Sequence, residues 1–141
     1  MKHLTSITTR LQETDALGHI NNISYFIYFE EARIDFFKTL GFADSASNWH
    51  YILASTQCNF RGQTYFDERI TVETTVKNIG NTSMNLHHVI RREKTGEVLA
   101  DGQAIVVYFN FIHQKSERIP EGLRQMLARY DYEDEPLEKG V

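Results

Sequence analysis

The chain has 141 residues, a length that fits one domain with a sizeable core. Its 41% hydrophobic and 24% charged residues match an ordinary globule. The formal net charge of −4 sits wholly in the last eleven residues, DYEDEPLEKGV, with five acids and one lysine; the body is neutral, which excludes the basic face of a duplex nucleic-acid binder.

The N-terminus, MKHLTSITTR, carries no apolar leader core, and no segment approaches the ~18 apolar residues of a membrane span. This reads as a cytoplasmic protein. Residues 3 to 11 alternate loosely and hold several Thr and Ser, as a strand does. Residues 12 to 22 form a loop around Gly18. Residues 23 to 40 read as a helix, capped by Asn21 or Asn22 and ended by Gly41. Its first half, Ile23 to Phe29, is apolar on nearly every side, which predicts burial all round. Glu30, Glu31, Arg33, Asp35 and Lys38 return the second half to solvent.

After residue 48 the period becomes two. Ile52, Ala54, Thr56, Cys58 and Phe60 alternate with Tyr51, Leu53, Ser55, Gln57 and Asn59. Cys58 is the single cysteine; it cannot form an intramolecular disulfide and reads as a small core residue. A strand through Ile70, Val72, Thr74 and Val76 follows, then a Gly80-Asn81 turn. Met84, Leu86, His88 and Ile90 share one face of the next strand. A Lys94-Thr95-Gly96 turn leads into a last strand over 97–112, apolar on both faces and therefore central or in an interface. Pro120 opens a second helix, with Leu123, Met126, Leu127 and Tyr130 as its apolar stripe. The order predicts one α+β domain over residues 1–130: a curved antiparallel sheet of about five strands around one long helix. Residues 131–141 form an acidic tail, free beyond Tyr130.

The stretch ETDALGHINNISYFIYFEEAR, residues 13 to 33, stands out. It sets a carboxylate, Asp15, ahead of Gly18, His19, Asn21 and Asn22, directly before the most apolar helix. Asp15, Gly18, His19, Asn21, Asn22 and Tyr25, then Tyr28, Glu30, Ala32 and Arg33, resemble the hot-dog-fold acyl-CoA thioesterases of the 4-hydroxybenzoyl-CoA thioesterase type. The four downstream strands fit as well, so the resemblance spans roughly residues 3 to 130. It implies a helix wrapped by a sheet and a homodimer with a continuous sheet and two active sites at its seam. It also implies tetramers as dimers of dimers, and a carboxylate at Asp15 that acts as base or nucleophile. Some relatives carry histidine or tyrosine where this chain has Asn22.

The chemistry explains the grouping. Thioester hydrolysis needs donors for a developing oxyanion and an activated water or a protein nucleophile. A helix N-terminus supplies the first, through unpaired N–H groups and the positive end of the macrodipole. The backbone N–H groups near Asn22 and Ile23 are the candidate donors. Gly18 lets the loop bend and lets substrate approach the backbone. Asp15, ionised at neutral pH, supplies the second. His19 reads as a packed loop histidine, and Asn21 and Asn22 as structural residues first; together with Gly18, Ile23 and Tyr25 they form the candidate oxyanion and substrate-binding set.

Other sites lack support. His87 and His88 are adjacent in a strand and point to opposite faces, which makes them poor joint metal ligands, and no metal or other cofactor is expected. No Gly-x-Ser-x-Gly elbow exists. Arg61, Lys115 and Arg118 are candidate phosphate contacts. Phe60, Tyr65 and Phe66 are candidate pocket residues. The expected function is an acyl-CoA thioesterase acting on an acyl-CoA or acyl-carrier thioester. Two alternatives stay open: a non-catalytic acyl-CoA or acyl-carrier binding module, and a hot-dog dehydratase or hydratase.

Overall fold

The computed structural model describes residues 1–43 and 49–137. Five strands form one antiparallel sheet: β1 (His3–Thr8), β2 (Tyr51–Phe60), β3 (Arg69–Ile79), β4 (Ser83–Arg92) and β5 (Val98–Asn110). Their order is β1-β3-β4-β5-β2, and a two-residue β6 (Lys115–Ser116) pairs with the end of β5. The long helix α1 (Asn22–Thr39) packs into the sheet, and a short α2 (Glu121–Ala128) follows. This is the antiparallel sheet around one helix that the chain order predicts and the hot-dog arrangement that the resemblance implies, with its long last strand placed between β4 and β2.

The alternation decides which side faces the helix. Ile7, Ile70, Val72, Leu86, Ile90 and Ala104 are buried against Tyr25, Tyr28, Phe29, Ala32 and Phe36 of α1. Leu123, Leu127 and Tyr130 close the end of the core around Phe36 and Phe37. Pro120 is the N-cap of α2 rather than its first helical residue. Strand β1 ends at Thr8, and a 3₁₀ turn at Leu11–Glu13 replaces the predicted continuation.

Three further expectations change. The register of β2 on β5 slips between Leu53 and Ser55. A one-residue bulge exchanges the faces, so Tyr51 lies opposite inward-facing Tyr108 while Cys58 lies opposite inward-facing Gly102. Strict alternation across this strand therefore fails.

The helix is not buried all round in the protomer. Ile23 is 71% and Ile27 45% exposed, on the side of α1 away from the sheet. Conversely, Arg33 is buried rather than solvated. It stands four residues after Phe29, so it follows that residue onto the sheet side. Burial lowers its pKa, against the pull of the Glu30 charge. No salt bridge joins Glu30 to Arg33 among the described residues.

The described part of the tail is not free chain. Val76 accepts from Tyr132 N–H at 3.1 Å and donates to Tyr130 O at 2.7 Å. Glu135 then meets Lys2 at 2.7 Å and Arg91 at 3.7 Å. Residues 131–137 thus cross the outer face of the sheet beside Glu73, Thr75 and His87. Residues 138–141 lie outside the described residues.

Candidate active site

The loop before α1 folds back on itself. Asn21 N–H donates to Glu13 O at 2.9 Å and Asp15 N–H to His19 O at 2.8 Å; between them Thr14 bridges Ile20. Residue 15 is two extended residues, about 7 Å, from the pairing at the helix cap. The tip between them turns at Gly18, whose φ of +84° is a conformation that side chains disfavour. Gly18 N–H closes the turn on Asp15 O at 3.2 Å.

Asp15 is exposed. Its Oδ1 accepts from the N–H groups of Leu17 at 2.8 Å and His19 at 3.2 Å. One oxygen therefore holds the turn, as a loop aspartate commonly does. Among the described residues the other oxygen has no hydrogen-bond partner.

The helix start leaves two backbone donors uncapped among the described residues. Asn21 is the N-cap, and its Oδ1 accepts from Ser24 N–H at 2.9 Å and Ser24 Oγ at 3.0 Å. That choice between the two asparagines leaves Asn22 as the first helical residue. The N–H groups of Asn22 and Ile23 precede any carbonyl four residues back within the helix, and no other described group takes them. Both residues are exposed. Their donors thus face outward at the positive end of α1.

The remaining predicted residues frame this corner. Tyr25 is buried, and its hydroxyl donates to Thr64 Oγ1 at 2.9 Å. Burial raises its pKa, against the Thr64 bond. Ile20 N–H donates to Thr64 O at 2.8 Å. The 61–65 segment is thereby stitched to the Asp15 loop. His19 packs edge-on against Tyr65, with ring centroids 5.5 Å apart; among the described residues no carboxylate bonds its ring. Phe60, Tyr65 and Phe66 remain 41%, 47% and 54% exposed, so they do not fill the core.

Several residues are placed away from this chemistry. Arg61 is ion-paired with the buried Asp101 on the outer sheet face, so its charge is already matched. Lys115 lies on β6 and Arg118 bonds Asn81 Oδ1 at 3.0 Å, on the other end of the sheet from α1's start. His88 is fully buried, and His87 points to the opposite face. Among the described residues no group of three His, Cys, Asp or Glu side chains could hold a metal ion.

One buried carboxylate escapes sequence reasoning. Glu13 is 6% exposed and accepts from the Tyr28 hydroxyl at 2.7 Å. No local pattern marks it: its neighbours Gln12 and Asp15 are exposed, and its partner lies fifteen residues on. The only hint is that Tyr28 falls amid apolar helix positions, where a hydroxyl needs a partner.

Comparisons with known proteins agree with this architecture. The model of the Thioesterase-like superfamily matches residues 9–127. YsmA of Bacillus subtilis, an uncharacterized protein, is 36% identical over 103 residues, which cover 72% of this chain and 68% of that one. The long-chain acyl-CoA thioesterase FadM of Escherichia coli is 27% identical over 130 residues, 89% of this chain and 96% of that one. A solved structure of a predicted thioesterase from Bacillus stearothermophilus superposes with a TM-score of 0.88 at 32% identity, covering 96% of this chain and 100% of that one. With the family model spanning the Asp15 loop, α1, strands β2 to β5 and nearly all of α2, the chain belongs to the Thioesterase-like superfamily.

Proposed function

We propose that this protein is an acyl-CoA thioesterase of the 4-hydroxybenzoyl-CoA thioesterase type, with Asp15 as base or nucleophile. One observation carries the reading: an exposed carboxylate with a free oxygen is hydrogen-bonded, through its loop, onto a helix start with two outward N–H donors. A thioester carbonyl set over Asn22 and Ile23 receives its developing negative charge there, each donor supplying roughly 3 kcal/mol. Asp15 either deprotonates a water whose oxygen attacks the carbonyl carbon, or attacks that carbon itself to give a mixed anhydride that water then hydrolyses; in both cases the C–S bond breaks, coenzyme A leaves as the thiolate and the free acid is released. The loop supplies geometry, since an ordinary aspartate is a weak base and gains most from a near-attack arrangement. Gly18 keeps the approach open; His19 and Tyr25 hold the walls.

Similarity to a protein named as a long-chain acyl-CoA thioesterase supports coenzyme A as the thiol carrier. The absence of a helix long and apolar enough to cross a membrane, among the described residues, is compatible with action in the cytoplasm.

The active unit in this reading is a homodimer. Strand β2 is an edge strand with one row of unpaired backbone groups, and edges of this kind invite pairing. Leu53 and Phe60 on that strand, with Ile23 and Ile27 on α1, are all more than two-fifths exposed. A second copy paired along β2 covers both.

The test is thiol release over short, long and aromatic acyl-CoAs by wild type and Asp15→Asn. Turnover that falls at least ~100-fold in the folded variant is the expected result. Stoichiometric binding without turnover by wild type moves the chain to the binding-module class. Equal rates in both proteins overturn the role of Asp15.

A further inference from the structure

Glu13, two residues before Asp15, is held unlike any other acid of the loop. Its Oε1 accepts from Tyr28 Oη at 2.7 Å and from Arg10 N–H at 2.8 Å. Its Oε2 faces the Arg10 guanidinium at 2.7 Å. Its backbone carbonyl accepts from Asn21 N–H at 2.9 Å and Ser24 Oγ at 3.3 Å. One residue thus binds Arg10 at the start of the 3₁₀ turn, the helix cap, the first helical turn and the second.

The polarity of this clamp is fixed. Burial alone would raise the Glu13 carboxyl, but the bonds from Tyr28 and Arg10 outweigh it and hold the group below the usual glutamate range. Burial and the Glu13 charge push the Tyr28 phenol far up. Glu13 is the acceptor and Tyr28 the donor throughout the physiological range.

Beyond Glu13, the side-chain tie from this segment to the body of α1 among the described residues is the looser Arg10–Glu31 ion pair at 3.7 Å. Asp15 Oδ1 bonds only within the loop, and Thr14 Oγ1 donates to Leu11 O at 2.7 Å. His19 and Ile20 attach to the 64–65 segment. Tyr28 is fully buried, so its hydroxyl is the rigid point.

We propose that Glu13 and Tyr28 are positioning residues that clamp the Asp15 loop onto α1 and so set the carboxylate against the oxyanion donors of Asn22 and Ile23. This rests on the thioesterase reading above. Neither side chain touches substrate; both act through Asp15. A displacement of about 1 Å at a reacting group can cost on the order of 100-fold in rate, while binding of a long thioester spreads over many contacts. Loss of the clamp therefore falls on kcat and largely spares KM.

The experiment measures kcat, KM and thermal unfolding for wild type, Asp15→Asn, Tyr28→Phe, Glu13→Gln and Glu13→Ala on the best acyl-CoA of the panel. Tyr28→Phe keeps the buried ring and removes one hydroxyl. It is expected to stay folded, lose about 10-fold or more in kcat and keep KM within about 3-fold. Glu13→Gln keeps one oxygen acceptor for the Tyr28 hydroxyl and the Arg10 backbone N–H but loses the one that faces the Arg10 guanidinium, and is expected to retain more activity than Glu13→Ala. Where Glu13→Ala does not fold, the other two variants decide. Wild-type kcat in Tyr28→Phe, or a loss matched by its unfolded fraction, overturns the clamp while Asp15→Asn remains dead. A wild type inert on the whole panel overturns the thioesterase reading, and the clamp with it.

Discussion

The ring of Phe29 closes directly onto the backbone of Gly102. A β-carbon at residue 102 would stand 2.7 Å from Phe29 Cε2 and 2.1 Å from the carbonyl oxygen of Gln57. The bare backbone of β5 is what lets α1 sink into the sheet. The same ring also stacks on His88, the β4 residue paired with Gly102, whose ring centroid lies 5.1 Å from that of Phe29, nearly parallel.

Gly102→Ala is therefore expected to destabilise the fold by several kcal/mol, because backbone and a fully buried ring must both move. Denaturant unfolding at neutral pH checks this. A loss under about 1 kcal/mol would mean that β2 and α1 yield more easily than their packing implies.

Asn21→Ala removes the acceptor for Ser24 N–H. Loss of such a cap costs about 1 kcal/mol, and a lowered Tm with unchanged cooperativity is expected. Asn22→Ala, one residue inside the helix, takes no cap and should leave the unfolding free energy within about 0.5 kcal/mol of wild type. The pair of variants separates the two asparagines that sequence alone leaves interchangeable.

Acidification should weaken the fold before any carboxylate titrates. Burial, then the Arg33 charge and His87, hold His88 well below its ordinary 6.5, and burial also lowers His87. Both are depressed bases, so the unfolded chain takes up protons that the native state refuses. Stability is complete above pH 6.5 and falls as pH drops through that value, by at most about 1.4 kcal/mol per pH unit for each group. Urea midpoints at pH 7.5, 6 and 5 measure the slope. His88→Gln, which keeps a bond for Thr74, should flatten it.

Cys58 should be a slow thiol. It is half-buried, and burial with the nearby Asp101 charge pushes its pKa up to about 12. Alkylation at pH 7.5 is expected to run at least ~100-fold slower in the native protein than in urea. Equal rates would place the thiol in solvent, and would argue against its inward position opposite Gly102.

The site was legible in sequence to the extent that it is local. Asp15, Gly18 and Asn21 lie within seven residues, and their roles follow from turn and cap chemistry that acts over three or four residues. Glu13 pairs locally with Arg10, three residues before it, but its burial was not legible, because its bond to Tyr28 on α1 comes from fifteen residues away. Arg33 was misplaced for a related reason: charge suggests solvent, but the helical face it occupies is set by Phe29 and Ala32.

By itself the sequence determined the elements, their order and the helix-start motif, since period, turns and caps are short-range properties of the chain. The tertiary structure decided the strand order β1-β3-β4-β5-β2, the bulge that swaps the faces of β2, and the path of residues 131–137 over the sheet. These depend on pairings between residues tens of positions apart. No local pattern encodes such pairings, and only packing a helix as deep as Phe29 on Gly102 selects among them.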